Sequence, residues 1–209
     1  SIKRLKNNKS PGPDQIHGEI LKLLGSEQIK LLTILFNKIY TTGKIPNDWL
    51  TSTFIPIPKK NNATKCCEHR IISLMSHPLK VFLNIIQARI YKKLDSSISD
   101  TQFGFRKGLG TREALFSIQV LIQRARDVNA DVFACFIDFE KAFDKVKHTK
   151  LISTLRESGI DERDIKIITN LYKEQKATIR INNEVSESFN VRRGVRQGCI
   201  LSPLLFNVY

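Results

Sequence analysis

From Pro78 to Leu94 the apolar residues fall at Leu79, Phe82, Leu83, Ile86, Ile90 and Leu94, the three-and-four spacing that collects on one face of an α-helix. Pro78 suits the first turn, where an amide hydrogen would have no helical partner anyway. A long helix with one apolar face has to be buried against other elements, so this segment sets the frame for the rest.

Upstream, Lys9-Ser10-Pro11-Gly12-Pro13-Asp14 predicts a rigid turn, because the prolines fix φ and the glycine permits a sharp bend. A helix burying Ile16, Ile20, Leu23 and Leu24 should follow, with Gly25 as its stop. Ser26 then caps a second helix with apolar positions Ile29, Leu32, Leu35, Phe36 and Ile39, ending near Gly43. Residues 53–58 look extended, and Pro56 and Pro58 favour an edge strand. A polar loop with Lys59, Lys60 and Lys65 leads to a short strand, Arg70–Leu74.

Downstream, Thr111 is placed to cap a helix running through Ala125. Val132–Ile137 is a six-residue apolar run closed by Asp138, the pattern of a buried strand that delivers a carboxylate at its end. Cys135, inside that run, reads as a small buried hydrophobe. Two helices follow, Thr149–Ser158 (stopped by Gly159) and Asp161–Glu174, then a hairpin of Ala177–Asn182 and Val185–Asn190 across Asn182-Asn183-Glu184. Gly194–Cys199 reads as a glycine-flanked loop, and Ser202-Pro203 as a cap and first turn. Helices and strands intermix without regular βαβ alternation, which predicts an α+β fold.

Charge narrows the partners. Thirty-four Lys and Arg stand against 20 Asp and Glu, a net +14, which favours a polyanion such as nucleic acid or an anionic membrane surface. A soluble basic protein fits the same count. No stretch approaches the ~18 uninterrupted apolar residues of a membrane span, and no apolar core with a cleavage site follows the basic N-terminus. Without an initiator Met, and with Tyr209 inside an apolar segment, both ends look cut. Cys66 and Cys67 are adjacent and no Cys-x-x-Cys pair occurs, which argues against zinc and fits a reducing intracellular compartment.

Three places could carry chemistry. Asp138, at the end of an apolar run, would be costly to ionise in isolation, and a divalent cation resolves that cost. The turn after it offers the amides of Lys141 and Ala142 to phosphate and sets Phe143 beside the same place. Taken alone, Asp138 reads more simply as the cap of the next helix, and Asp144 as a structural hydrogen-bonding residue. In Gly194-Val195-Arg196-Gln197-Gly198-Cys199 the glycines allow close backbone approach and Gln197 offers both donor and acceptor, though most such loops are only turns. Lys59, Lys60 and Arg70 flank a basic loop; Arg matches phosphate oxygens with a planar fork, and Lys adds a flexible point charge. A solvated basic hairpin explains Lys60 and Lys65 equally well.

Six segments occur in one order: Asn8–Asp14, Ile57-Pro58-Lys59-Lys60, Arg70–Leu74, Gln102-Phe103-Gly104-Phe105-Arg106, Ile137–Asp144 and Gly194–Cys199. Together they resemble the reverse transcriptase of non-LTR (LINE-like) retrotransposons over essentially the whole chain. The resemblance implies a right-hand polymerase fold with fingers from about 1–76 and 146–200, and an incomplete palm from about 77–145 and 201–209. It implies that Asp138 binds catalytic Mg²⁺ (Mn²⁺ as an alternative) with the Phe139 carbonyl as a further ligand. Lys59, Arg70 and the amides around Lys141 and Ala142 would hold the incoming triphosphate. Phe143 would be the gate against a ribose 2′-hydroxyl, and Gln197 and Gly198 would line the nucleotide pocket and template path. The implied partners are an RNA template, a DNA primer, dNTPs and the element's own RNA as a ribonucleoprotein, with no membrane. Nucleus and cytoplasm are the implied locations of the parent element.

The chain departs from the pattern at Gln15 (usually glycine), at Ile71 and Ile200 (usually proline) and at Cys66-Cys67-Glu68-His69. The family's paired aspartates, in an x-Asp-Asp hairpin, are expected beyond Tyr209, so the chain alone should not polymerise. Two other readings stand beside this one. A decayed, non-catalytic nucleic-acid-binding module would show stops or no paired aspartates in the continuing frame. A group II intron-type maturase would carry large intron-RNA-binding segments there.

Overall fold

The protein is described by a computed structural model covering residues 1–182 and 184–209. Its helices are α1 (Gly18–Lys22), α2 (Ser26–Thr42), α3 (Asn47–Leu50), α4 (His77–Asp95), α5 (Thr111–Asp127), α6 (His148–Glu157), α7 (Glu162–Lys173) and α8 (Leu201–Val208). The strands are β1 (Thr51–Pro58), β2 (His69–Leu74), β3 (Lys176–Ile181), β4 (Glu184–Val185) and β5 (Phe189–Asn190). This is a mixed α+β arrangement, as the sequence predicts.

Helix α4 is the floor of the structure. Leu79, Phe82, Leu83, Ile86, Ile90 and Leu94, the face read from the sequence, are all 0–2% exposed. They join one core with Phe36 and Ile39 of α2, Leu151 and Leu155 of α6, Ile165, Ile168 and Leu171 of α7, and Leu204 and Leu205 of α8. Arg89 ties three of these helices: its guanidinium donates to Asp164 of α7 and to the Tyr40 hydroxyl of α2, and lies over the Tyr40 ring.

The sheet runs β2-β1-β3-β4, with β5 also on β3. β1 pairs antiparallel with β2 from Thr53 opposite Leu74 to Pro58 opposite His69, and parallel with β3 over Thr51–Phe54. The expected edge strand is therefore central for half its length. Pro56 and Pro58 lie past the parallel ladder, where their missing N–H groups cost no β3 hydrogen bond. The expected second hairpin strand is split into β4 and β5, which pair with opposite ends of β3. The predicted Asn182-Asn183-Glu184 turn includes Asn183, which lies outside the described residues.

The loop before α1 is locked to the start of α4. Asp14 accepts the Ser76 hydroxyl at 2.5 Å, and the Ile16 carbonyl lies 3.0 Å from Nδ1 of His77. A Cβ on Gly12 would stand 2.4 Å from the Ser76 amide nitrogen, so only glycine fits there. Gln15, where the resembled family has glycine, adopts φ 54°, a left-handed conformation glycine takes without penalty. These anchors set the rotation of the short α1. Leu21 is buried, whereas Ile20 and Leu23, expected inside, are exposed. Ile29 and Leu35 of α2 are also exposed. Nor do the expected hydroxyl caps form: Gly25, Gly110 and Ile200 hold the N-cap positions, one residue before Ser26 and Thr111 and two before Ser202.

The largest departure is at residues 111–140, none of which is buried. Val132–Ile137 is no strand; Phe133 and Phe136 are 94% and 90% exposed, and Cys135 is exposed too. An extended segment is buried only where a neighbour satisfies its N–H and C=O groups, and none of the described strands pairs with it. Helix α5 likewise turns Leu115, Phe116, Ile118 and Leu121 outward. None of the described helices is long and apolar enough to cross a membrane.

This partition predicts the energetics of two chemically identical changes. Leu83→Ala, in the α4 core, should cost about 2–5 kcal/mol, while Leu121→Ala on α5 should stay within about 0.5 kcal/mol. Urea unfolding followed by circular dichroism checks both, and equal losses would show that α5 is buried.

Candidate functional site

Three of the sequence-marked segments meet at one place. Past the exposed stretch, Lys141 takes φ 51° and opens a 3-10 turn over Ala142–Lys145. The loop before α8 closes on that turn through its backbone. The Val195 amide donates to the Phe143 carbonyl at 2.9 Å, and the Gly194 amide to the Val146 carbonyl at 2.8 Å. On the other side, the Ser73 amide of β2 donates to the Gln197 carbonyl at 3.0 Å. The Gln197 side-chain amide faces a carboxylate oxygen of Asp144 at 3.4 Å.

Both glycines of the loop are there for geometry. Gly194 has φ 92°, and a Cβ on it would sit 3.0 Å from Cα and the carbonyl oxygen of Asp144. Gly198 has φ 100° and lies against the Ser73 carbonyl, 3.2 Å from where a Cβ would be. A cleft of about 230 Å³ opens between these pieces, lined by Phe54, Ile71 and Ser73 of the sheet and by Asp144, Gln175, Arg193 and Gln197.

Phe143 stands in an aromatic stack beside this joint. Its ring lies 4.7 Å from that of Phe206 at an interplanar angle of 16°, and Phe105 meets it edge-on at 5.8 Å. The ring is half-buried and fixed.

The basic residues are treated less uniformly than their charges suggest. Lys59 folds back, its ammonium 3.1 Å from the Cys67 carbonyl. Lys60 pairs with Glu68 at 2.7 Å and holds that carboxyl below the usual range. Arg70 is exposed, opposite Ile57, with no ion pair among the described residues. Strand alternation puts it on the face of β2 opposite Ile71 and Ser73, so it does not line the cleft. Asp138 and Phe139 lie in the exposed stretch, Phe139 at 74% exposure. Among the described residues no three His, Cys, Asp or Glu side chains gather to hold a metal ion. Asp138 is a hard oxygen donor of the kind Mg²⁺ takes, but the residues present do not make a divalent site by themselves.

Asp144, expected to be a structural hydrogen-bonding residue, does meet the Gln197 amide. Sequence reasoning passed over one residue at this joint. Arg196, which looks like one more loop cation, is 2% exposed, and burial pushes both its guanidinium and the Cys199 thiol away from their charged forms. Only Val195 before it and Cys199 three positions after it hint at that burial.

Residues 57–209 match the family described as reverse transcriptase (RNA-dependent DNA polymerase). Over its whole length the chain is 31% identical to a probable RNA-directed DNA polymerase from transposon BS of Drosophila melanogaster. It is 30% identical to the probable RNA-directed DNA polymerase from transposon X-element, and 26% to the RNA-directed DNA polymerase from mobile element jockey, of the same organism. It covers 23% of each of these relatives, so the chain spans about a quarter of their length.

The joint makes a stability prediction with an internal control. Gly108 also has positive φ but open space around it, with nothing within 4 Å of a Cβ. Gly108→Ala carries only backbone strain, whereas Gly194→Ala adds a collision with Asp144. Each strained conformation costs on the order of 1–3 kcal/mol, and Gly194→Ala should be the more destabilising in urea titration. A Gly194→Ala loss no larger than that of Gly108→Ala would mean that the loop is not pressed on Asp144.

Proposed function

The chain belongs to the reverse transcriptase family, in its non-LTR retrotransposon branch, and on that premise we propose that it forms the fingers and first part of the palm of an RNA-directed DNA polymerase. Members of the family work on a nucleic-acid template and primer and generally use divalent metal ions. Fingers are assigned to about 1–76 and 146–200, palm to about 77–145 and 201–209. The partners are an RNA template, a DNA primer and dNTPs, and the element's RNA as a ribonucleoprotein. The net charge of +14 supports a polyanionic partner, with binding that weakens as salt rises.

The observation that carries this reading is the meeting of 142–146, 194–198 and β2 at one cleft. Nucleotidyl transfer asks the protein chiefly to position a triphosphate against a primer hydroxyl, and these segments supply the parts. Arg70 and Lys59, at the outer end of the β1–β2 pair and outside the cleft itself, are assigned to the triphosphate together with the amides at Lys141 and Ala142. Arg70 serves better than Lys60, whose charge is already engaged by Glu68. Gln197 and Gly198 meet the nucleotide and the template. Phe143 occupies the space a 2′-hydroxyl would need. Asp138, with the Phe139 carbonyl, is the ligand assigned to Mg²⁺ or Mn²⁺; its exposure means that its substitution removes a ligand and not packing.

Phe143 gives the sharpest test, read in a polymerase of full relative length carrying this chain. Phe143→Ala should raise the efficiency of rNTP over dNTP incorporation by roughly 10–200-fold, the range a steric pocket discriminates. The ratio is taken within one preparation, so partial misfolding from loss of the aromatic stack does not move it. An unchanged ratio would remove Phe143 from the sugar site.

A further inference from the structure

Arg196 is a buried cation without a buried anion. Its guanidinium donates to the Leu50 carbonyl at 3.1 Å, to Trp49 at 3.4 Å and to Leu171 at 3.4 Å, and among the described residues no carboxylate pairs with it. Trp49 and Leu50 end α3, and Leu171 lies in the last turn of α7. Carbonyls at helix ends lack intrahelical partners and carry the negative end of the helix dipole. Three such oxygens from two elements stand in for a counterion.

Packing does not explain why a cation occupies this position. Nε of Arg196 and the Tyr172 hydroxyl are both buried without hydrogen-bond partners, and burying a charge that no opposite charge pairs is costly. The arrangement does explain a geometric task. On either side of Arg196 the backbone reaches the site: Val195 bonds to Phe143, and the Gln197 carbonyl receives the Ser73 amide. The Arg196 guanidinium fastens the loop to the ends of α3 and α7. A planar fork aimed at several oxygens at once fixes orientation as a point charge does not.

We propose that Arg196 is a positioning residue for nucleotide selection: it anchors the 194–198 loop to the helices so that Gln197 stands at the incoming nucleotide. The inference rests on the assignment of Gln197 to the nucleotide pocket. It places the origin of that pocket's geometry in the loop's contact with the helix ends.

A double-mutant cycle in a polymerase of full relative length separates positioning from mere stability. Primer extension is measured for Arg196→Met, Gln197→Ala and the pair, reporting KM for dNTP and kcat separately beside the thermal midpoint. Arg196→Met and Gln197→Ala should each raise KM for dNTP by between about tenfold and a hundredfold, the scale of a small misplacement of a positioned group. The pair should do no worse than Gln197→Ala, since residues acting through one another are not additive. If Arg196→Met does not fold, Arg196→Lys, which keeps the charge but loses the fork, carries the same cycle. A lowered thermal midpoint or kcat with unchanged KM would overturn the proposal, as would losses that multiply in the pair. Gln197→Ala with unchanged KM would instead sink the nucleotide assignment of Gln197, and the inference with it.

Discussion

Two backbone hydrogen bonds, Val195 to Phe143 and Gly194 to Val146, join stretches of chain about 50 residues apart in sequence. Both are made possible by a glycine with φ 92° pressed against Asp144. What surrounds them depends on that closure. It brings the 3-10 turn carrying Phe143 up to the loop carrying Gln197, and the loop in turn reaches β2 through Ser73. Without it, the turn after the exposed 131–139 segment would have no fixed relation to the sheet.

The joint is held from below by α4 and its neighbours. Leu201, Leu204 and Leu205 of α8 continue the loop into the same core that buries the α4 face, so the loop leaves one rigid element and enters another. Arg196 adds a third attachment, to the ends of α3 and α7. Closure of the long connections between these elements is entropically unfavourable, and the core offsets it with apolar burial. The site is thus placed by packing that touches none of its functional groups. Residues 111–140 take no part in that core, and there lies the carboxylate assigned to the metal.

The legible parts of the sequence are those whose signal is local and complete. The α4 face could be read because its six apolar positions are all satisfied by one periodicity. The ends of α2 at Gly43 and α6 at Gly159 follow from left-handed glycines. What could not be read depends on distant partners. Val132–Ile137 carries a strand's composition, yet composition names no neighbour. The parallel pairing of β1 with β3 links residues more than 120 positions apart, and no local pattern announces it. Hydroxyls at Ser26, Thr111 and Ser202 looked like caps because capping residue types are permissive, while the helix start is set by where the preceding chain turns. At the site, six motifs in order identified the family, and the loop carrying Gln197 does bond to the turn carrying Phe143 beside one cleft. Arg70 on the opposite face of β2, and the burial of Arg196, are matters of strand alternation and tertiary packing that motif spacing does not encode.

Native-state hydrogen exchange on the chain itself tests the joint most directly. Amides engaged in buried, core-anchored bonds open only with large parts of the structure, whereas exposed irregular segments exchange near the unfolded rate. The account predicts that the amides of Ser73, Gly194 and Val195 exchange as slowly as those of Leu83 and Ile86 in α4, while residues 131–139 exchange almost unprotected. Exchange at Gly194 and Val195 as fast as at 131–139 would contradict it, because the segments that make the cleft would then not be held together.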